Sequence, residues 1–370
     1  MRILHVTDTY SPTVGGIEVF VESLATRQAA AGHEVTVLTR TPRQGATGAD
    51  PETGVVVSRS ISELSSLVRW ADCVHAHVSA FSPLTLRSTE VAAAQARPVV
   101  ATVHSMWGNA WPIVATVAKM RRWPSMPIQW AAVSEAAAGP VQRALGGQSV
   151  LLLPNAVDTA LWAPSTQPAE PRAEVTIVSV QRMVRRKRPI PLLGMLREVR
   201  ALVPPEVGLR AVLAGEGPLL EEVRDRIARW DMGSWVETPG GLSHAELRTL
   251  YRGSDIFVAP ATRESFGIAA LEARTSGLAV VAHASTGVPE FVTHEVDGLL
   301  AHHDSGMVEA LARLCNDSAL RSDIVSHNRA QRPAFDWSDH LWRAEHAYAT
   351  AAGRVPDSPA GAPGMLSARR

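Results

Sequence analysis

The first forty residues alternate in a way that few folds accommodate. Residues 3–6 are a short apolar run, and residues 8–16 are a polar loop holding Pro12 and the adjacent glycines Gly15 and Gly16. Residues 18–31 then carry Val19, Phe20 and Leu24 at helical spacing and stop at Gly32, and residues 35–38 are a second apolar run. Strand, loop, helix and strand in that order make a βαβ unit. Two parallel neighbours cannot be joined by a tight turn, so the crossover helix commits the chain to a parallel sheet.

Further short apolar runs, read as buried strands, follow at 73–78, 99–103, 131–133 and 150–153. Residues 163–173 hold Pro164, Pro168 and Pro171 without apolar periodicity, which predicts a linker. A second series begins after it. Strands are expected at 175–180, 209–214, 256–259 and 279–282, and helices at 190–202, 218–230, 244–252, 267–277 and 306–315. The expected organisation is a first domain at 1–165, a second at 172–334, an amphipathic helix at 335–352 and a disordered tail at 353–370. The fold class is α/β, with two Rossmann-like parallel-sheet domains facing across a cleft. Ligands of such sheets sit beyond the carboxyl ends of the strands.

Composition narrows the function. At 46% hydrophobic and 19% charged, the 370 residues can bury large cores, which excludes a disordered chain. Lys plus Arg and Asp plus Glu balance at 36 each, which speaks against a nucleic-acid-binding protein. The two cysteines, Cys73 and Cys315, lack metal-ligand spacing, and a reducing compartment is expected. The amino-terminal segment does not read as a signal peptide, and no run of 18 apolar residues suggests a membrane span. A cytoplasmic protein, soluble or peripheral at a membrane, is the expectation.

Four places carry candidate chemistry. Gly15 and Gly16 between the first strand and helix would let backbone amides meet an anion, or simply form a turn. Residues 182–188, Arg-Met-Val-Arg-Arg-Lys-Arg, bring five positive charges to a strand end, suited to a diphosphate or to solvent. Lys187 is one of only two lysines, the other being Lys119. The third place spans Glu264, Ser265, Phe266, Gly267, Ile268 and Glu272. In a continuous helix the two glutamates would stand roughly 12 Å apart, beyond the about 5–9.5 Å of a glycosidase pair. They suit a grip on hydroxyls at two ends of a polyol ligand, with helix-start amides meeting a phosphate between them. The fourth is His104, at a strand end, where a histidine faces the cleft or the core.

Taken in order, these stretches resemble the retaining nucleotide-sugar glycosyltransferases of the GT-B fold, in particular glycosyltransferase family 4, over nearly the whole chain. Residues 264–272 are similar to the family's Glu-x7-Glu signature, and Gly15-Gly16-Ile17 to its first glycine loop. Asp72-Cys73-Val74-His75-Ala76-His77 resembles its fourth-strand pattern, Thr102-Val103-His104 its active-site histidine segment, and Pro154-Asn155-Ala156-Val157-Asp158 the element before its hinge. Arg182 and Lys187 keep its arginine-to-lysine spacing, Gly215-Glu216-Gly217-Pro218 its Gly-x-Gly-Pro turn, and Phe335-Asp336-Trp337-Ser338 its segment crossing back to the first domain. Ala156, Gln181 and Ser265 replace frequent glycines.

The resemblance implies transfer of a hexose from a nucleoside-diphosphate sugar with retention of configuration, to a lipid, glycan or small-molecule acceptor. It implies that Arg182 and Lys187 neutralise the leaving diphosphate with help from Gly15, Gly16, Gly267 and Ile268. Glu272 would hold the ribose, Glu264 the sugar hydroxyls, and His104 would lie near the reacting carbon. No cofactor and no metal are implied. The absence of any Asp-x-Asp element agrees with protein cations doing the neutralising. A nucleotide-sugar epimerase or an inactive binding relative stays open. A nicotinamide-dependent oxidoreductase lacks its Gly-x-Gly-x-x-Gly after the first strand. Residues 106–130, with Trp107, Trp111, Trp123 and Trp130 among Lys119, Arg121 and Arg122, suggest either peripheral membrane contact or core packing. His75 and His77 share a strand face, open to a cleft or metal role.

Overall fold

The computed structural model describes residues 1–13, 15–42, 53–164 and 174–354. Most of the expected linker and tail, and Val14, lie outside these residues. Seven parallel strands form the first sheet: β1 (Arg2–Thr7), β2 (Glu34–Thr39), β3 (Val56–Ser58), β4 (Cys73–Val78), β5 (Val99–Val103), β6 (Gln129–Ala132) and β7 (Leu151–Leu152), in spatial order 3-2-1-4-5-6-7. Six more form the second: β8 (Glu174–Val180), β9 (Gly208–Ala214), β10 (Val236–Gly240), β11 (Ile256–Ala259), β12 (Ala279–His283) and β13 (Gly298–Ala301), in order 10-9-8-11-12-13. The strand order reverses beside β1 in one sheet and beside β8 in the other. Those reversals open crevices at the carboxyl ends, where ligands of such sheets bind.

Helices α1 (Gly16–Ala30), α2 (Leu64–Trp70), α3 (Pro83–Ala94), α4 (Trp111–Met120) and α5 (Glu135–Ala144) accompany the first sheet. The second has α6 (Pro189–Leu202), α7 (Leu220–Arg229), α8 (His244–Arg252), α9 (Ile268–Thr275), α10 (Asp304–Asn316) and α11 (Ser318–Ala330). Because helices cover both faces, the central strands are apolar throughout rather than alternating, and all six residues of β4 are buried. The capping box of Ser243 and Glu246 fixes the start of α8, where each side chain satisfies an orphan amide of the other.

The last helix, α12 (Trp337–Ala351), leaves the second domain and packs on the first. Its buried stripe of Trp337, His340, Ala344, Ala347 and Tyr348 has helical spacing and faces β5 and β6. Thr159 donates to Asp336 through both backbone N–H and hydroxyl, and His340 Nδ1 donates to the Pro154 carbonyl at 2.7 Å. At the hinge, Trp162 is buried against Tyr251, with ring centroids 5.6 Å apart.

Candidate active site between the two sheets

The segment after β8 is pinned by a neighbouring glycine turn. Met183 N–H donates to the Glu216 carbonyl at 2.7 Å and Leu219 N–H to the Met183 carbonyl at 2.9 Å. Gly215 and Gly217 have φ of +134° and +148°, and a Cβ on Gly215 would overlap the Gln181 carbonyl. Only glycine lets the two backbones approach this closely while keeping that conformation. The clamp holds Arg182 outward, exposed and without an ion pair among the described residues.

The basic run then divides by role. Arg188 has φ +60° and binds Asp304 through two nitrogens at 2.8 and 2.6 Å, which holds the Asp304 carboxyl below its usual range. This arginine is a structural tie. Lys187 turns the other way and forms an ion pair with Glu264. Arg182 and Lys187 therefore remain as the cations at the strand end, with Arg185 and Arg186 exposed beside them.

Glu264 sits in the loop after β11, not in a helix, so the continuous-helix spacing of the two glutamates does not apply. Gly287 N–H donates to the Glu264 carbonyl at 2.9 Å, and the Gly287 backbone lies so close to Ser265 that a side chain there would clash. The sequence places Phe266 among the donor-binding residues, and the structure corrects this. Its ring is buried against Phe291 and Phe335, at 5.3 and 5.6 Å, because an aromatic there anchors the loop to the core. Gly267 begins α9 with φ +96°, leaving the first amides of the helix without intrahelical partners. Glu272 lies one turn on. Its carboxyl makes no hydrogen bond or ion pair among the described residues, and burial pushes it up to about 8.

The first domain closes over this loop. A Cβ on Gly16 would stand 3.8 Å from Ile268 Cδ1, so the glycine loop after β1 faces the start of α9. Ser265 Oγ donates to the His104 carbonyl and Ser134 Oγ to the Ser265 carbonyl, both at 2.5 Å. Glu135 N–H donates to Glu290 at 2.7 Å, and burial raises that carboxyl. His104 follows β5 and is buried, with its ring packed on Phe20 and Nε2 bonded to His77 Nδ1 at 3.0 Å. Burial pushes it down to about 3, so it is neutral at physiological pH.

The structure thus gathers Gly15, Gly16, His104, Lys187, Glu264, Ser265, Gly267 and Ile268 where two sets of strand ends meet. Sequence reasoning missed Ser134, which as the cap of α5 shows no signal beyond capping. The open reading of His75 and His77 as cleft residues is corrected: both are fully buried, because their strand face is covered by α12. With His5 they bring ring nitrogens within 4.8 Å of one another, but hydrogen bonds occupy both nitrogens of each ring. Of the tryptophans at 106–130, Trp123 and Trp130 are core residues, with centroids 5.7 Å apart.

Comparisons agree with this architecture. The family described as Glycosyl transferases group 1 matches residues 165–331, and that described as Glycosyltransferase Family 4 matches residues 14–161. The chain is 29% identical over 374 residues to a phosphatidylinositol N-acetylglucosaminyltransferase polypeptide of Arabidopsis thaliana, covering 94% of this chain and 81% of the relative. It is 28% identical over 380 residues to the GDP-mannose-dependent alpha-(1-6)-phosphatidylinositol monomannoside mannosyltransferase of Mycobacterium tuberculosis, covering 92% and 94%. The crystal structure of Anabaena HepE in complex with UDP-glucose superposes with a TM-score of 0.75 at 19% identity, over 95% of this chain and all of that one.

Proposed function

The chain belongs to glycosyltransferase family 4 and is a glycosyltransferase; from that premise we propose that it transfers a hexose from a nucleoside-diphosphate sugar to a phosphatidylinositol-type acceptor, with retention of configuration and no metal. The observation that carries this reading is the convergence of Arg182, Lys187 and the first amides of α9 on one cleft, opposite the Gly15–Gly16 loop. Such a cluster suits a diphosphate leaving group.

In the proposed reaction the bond between the anomeric carbon and the diphosphate oxygen breaks, and its electron pair leaves with the diphosphate. Lys187 and Arg182 neutralise that charge. The acceptor oxygen bonds to the anomeric carbon on the face the diphosphate leaves, and its proton passes to a departing phosphate oxygen. Glu264 releases Lys187 to the phosphate and takes up sugar hydroxyls, Glu272 binds the ribose diol, and His104 lines the sugar pocket. The contacts of Ser265 with His104 and Ser134 hold the cleft closed against water, limiting donor hydrolysis.

Both relatives have names specifying phosphatidylinositol, and the first domain has a surface that fits a lipid acceptor. Ile113, Val117 and Met120, on one face of α4, are 71%, 39% and 77% exposed. Lys119, Arg121 and Arg122 cluster at the end of that helix. Apolar side chains beside cations suit the boundary of an anionic membrane. Among the described residues no helix is long and apolar enough to cross one.

The test is to offer labelled GDP-mannose, UDP-N-acetylglucosamine and UDP-glucose with vesicles of phosphatidylinositol or phosphatidylserine. One donor should label the inositol lipid alone, with its anomeric configuration kept. Label only in water-soluble acceptors, or an inverted product, would refute the proposal. Ile113→Glu with Met120→Glu should reduce vesicle binding while leaving nucleotide binding intact.

A further inference from the structure

Behind His104 lies an unbroken series of buried hydrogen bonds. His104 Nε2 meets His77 Nδ1 at 3.0 Å, His77 Nε2 meets His5 Nδ1 at 2.9 Å, and His5 Nε2 meets Gln28 Oε1 at 2.7 Å. Gln28 Nε2 donates to the Tyr348 hydroxyl at 3.0 Å. That oxygen is 2.8 Å from His75 Nδ1, and His75 Nε2 is 2.8 Å from Thr102 Oγ1. Every member is at most 6% exposed. The series crosses β1, β4 and β5, takes Gln28 from α1, and ends on α12.

The strand register creates this row. His5 pairs with His75, and His77 pairs with Thr7 on one side and Thr102 on the other, so the three imidazoles share one face of the sheet. Burial, and then the neighbouring histidines, hold His75 and His77 well below the ordinary imidazole value, and His5 falls to about 4. The rings are neutral, and a neutral imidazole has one N–H and one lone pair.

That count makes the series directional. With its amide oxygen on His5, Gln28 requires a proton on His5 Nε2, which leaves His5 Nδ1 to accept from His77. His77 Nδ1 then accepts from His104, whose proton must lie on Nε2. Turning the Gln28 amide over reverses every bond at once, and a mixed arrangement would leave a buried pair facing proton to proton or lone pair to lone pair. Each such defect costs about 1–3 kcal/mol, so intermediate states are suppressed.

We propose that His77, His5, Gln28 and Tyr348 are positioning residues that hold His104 in the tautomer protonated at Nε2, leaving Nδ1 as a hydrogen-bond acceptor for a hydroxyl of the donor sugar. Nδ1 of His104 makes no hydrogen bond among the described residues, while its backbone carbonyl is fixed by Ser265 from the opposite domain. The tautomer itself is independent of the proposed transfer; only the hydroxyl as its partner rests on that reading. α12 is thereby a structural part of the site, although its own residues stand behind the catalytic face.

The experiment is nitrogen-15 NMR of the histidine-labelled full chain at pH 7, with His104 assigned through His104→Gln. The expected result is one neutral His104 tautomer protonated at Nε2. Gln28→Met should give both tautomers, whereas Gln28→Glu, which keeps an acceptor for His5, should restore the single one. Should the methionine variant not fold, Tyr348→Phe removes one oxygen and releases the Gln28 amide from its outer partner, and both tautomers are again expected. Protonation of His104 at Nδ1 in the wild type, or a tautomer indifferent to Gln28 and Tyr348, would overturn the proposal. So would one equivalent of tightly bound zinc on His5, His75 and His77, found by elemental analysis. None of these readouts needs a donor, so failure of the transfer reading would be seen separately.

Discussion

Lys187 and Glu264 are bound to each other in the structure, and both are needed by a donor for different ends of the molecule. Diphosphate binding exchanges one partner of Lys187 for another, which keeps the ammonium paired throughout. Lys187→Ala should lower turnover by about 10²–10³, the usual cost of losing one preorganised donor to developing charge. Its melting temperature should barely move, because a partly exposed ion pair contributes at most about 1 kcal/mol; a large drop in melting would mean a structural role instead. Glu272, pushed up to about 8, holds its proton at pH 7. Ribose hydroxyls donating to it favour the charged form. Nucleotide binding at pH 7 should therefore release close to one proton, read as a dependence of calorimetric heat on the buffer's ionisation enthalpy. A heat independent of buffer would contradict that role. These residues are legible in the sequence because their chemistry lies in charge and spacing. Gln28 is not, although a glutamine at position 28 continues the stripe of Phe20 and Leu24, and a polar residue on an apolar face is a signal that something buried bonds to it.

At the scale of elements, alternation exposes the fold more fully than its edges. β10 escapes sequence reading because Val236–Gly240 contains Pro239 and is an outer strand with exposed positions. β3 and β13 are short outer strands, with three and four residues. α11 buries only Ile324 and Asn328, too thin a stripe for periodicity to show. The histidine-bearing strands have a consequence for acid stability. Their folded values lie below the unfolded value of about 6.5, so as pH falls the unfolded chain takes up protons first. The contribution is complete above about pH 6.5 and is lost towards pH 4. It amounts to about 3 kcal/mol for His5 alone. Glu272 has the opposite sign, because its raised value stabilises the fold at low pH and is lost as pH rises through 8. One carboxyl against His5, His75, His77, His104 and His340 does not reverse the trend. Denaturant titrations should show stability falling steeply from pH 6.5 to 4, and a flat profile would mean that the histidines are not held neutral.

For the whole molecule, two sheets place cations, carboxylates and free amides along one cleft, and α12 ties the chain's later part to its first sheet. Removing residues 335–370 would uncover β5 and β6 and strip Gln28 and His75 of Tyr348. Each large buried side chain stabilises by about 1.5–3 kcal/mol, and the domain as a whole by only about 5–15. Such a truncated chain should lose its cooperative melt, whereas a melt at the wild-type temperature would show α12 to be an appendage. The helix itself is expected from resemblance; its bonding into the histidine row is a tertiary event that no local pattern encodes.

The most direct test is a thermal-shift panel of the full chain with GDP, UDP, ADP, NAD and NADP, repeated on Lys187→Ala and Glu272→Ala. A nucleotide at 100 times its dissociation constant stabilises a fold by about 2.7 kcal/mol. One nucleoside diphosphate should raise the melting temperature of the wild type and lose that effect in both variants. A shift with NAD or NADP alone, or a diphosphate shift that survives both substitutions, would contradict a donor site built on these residues.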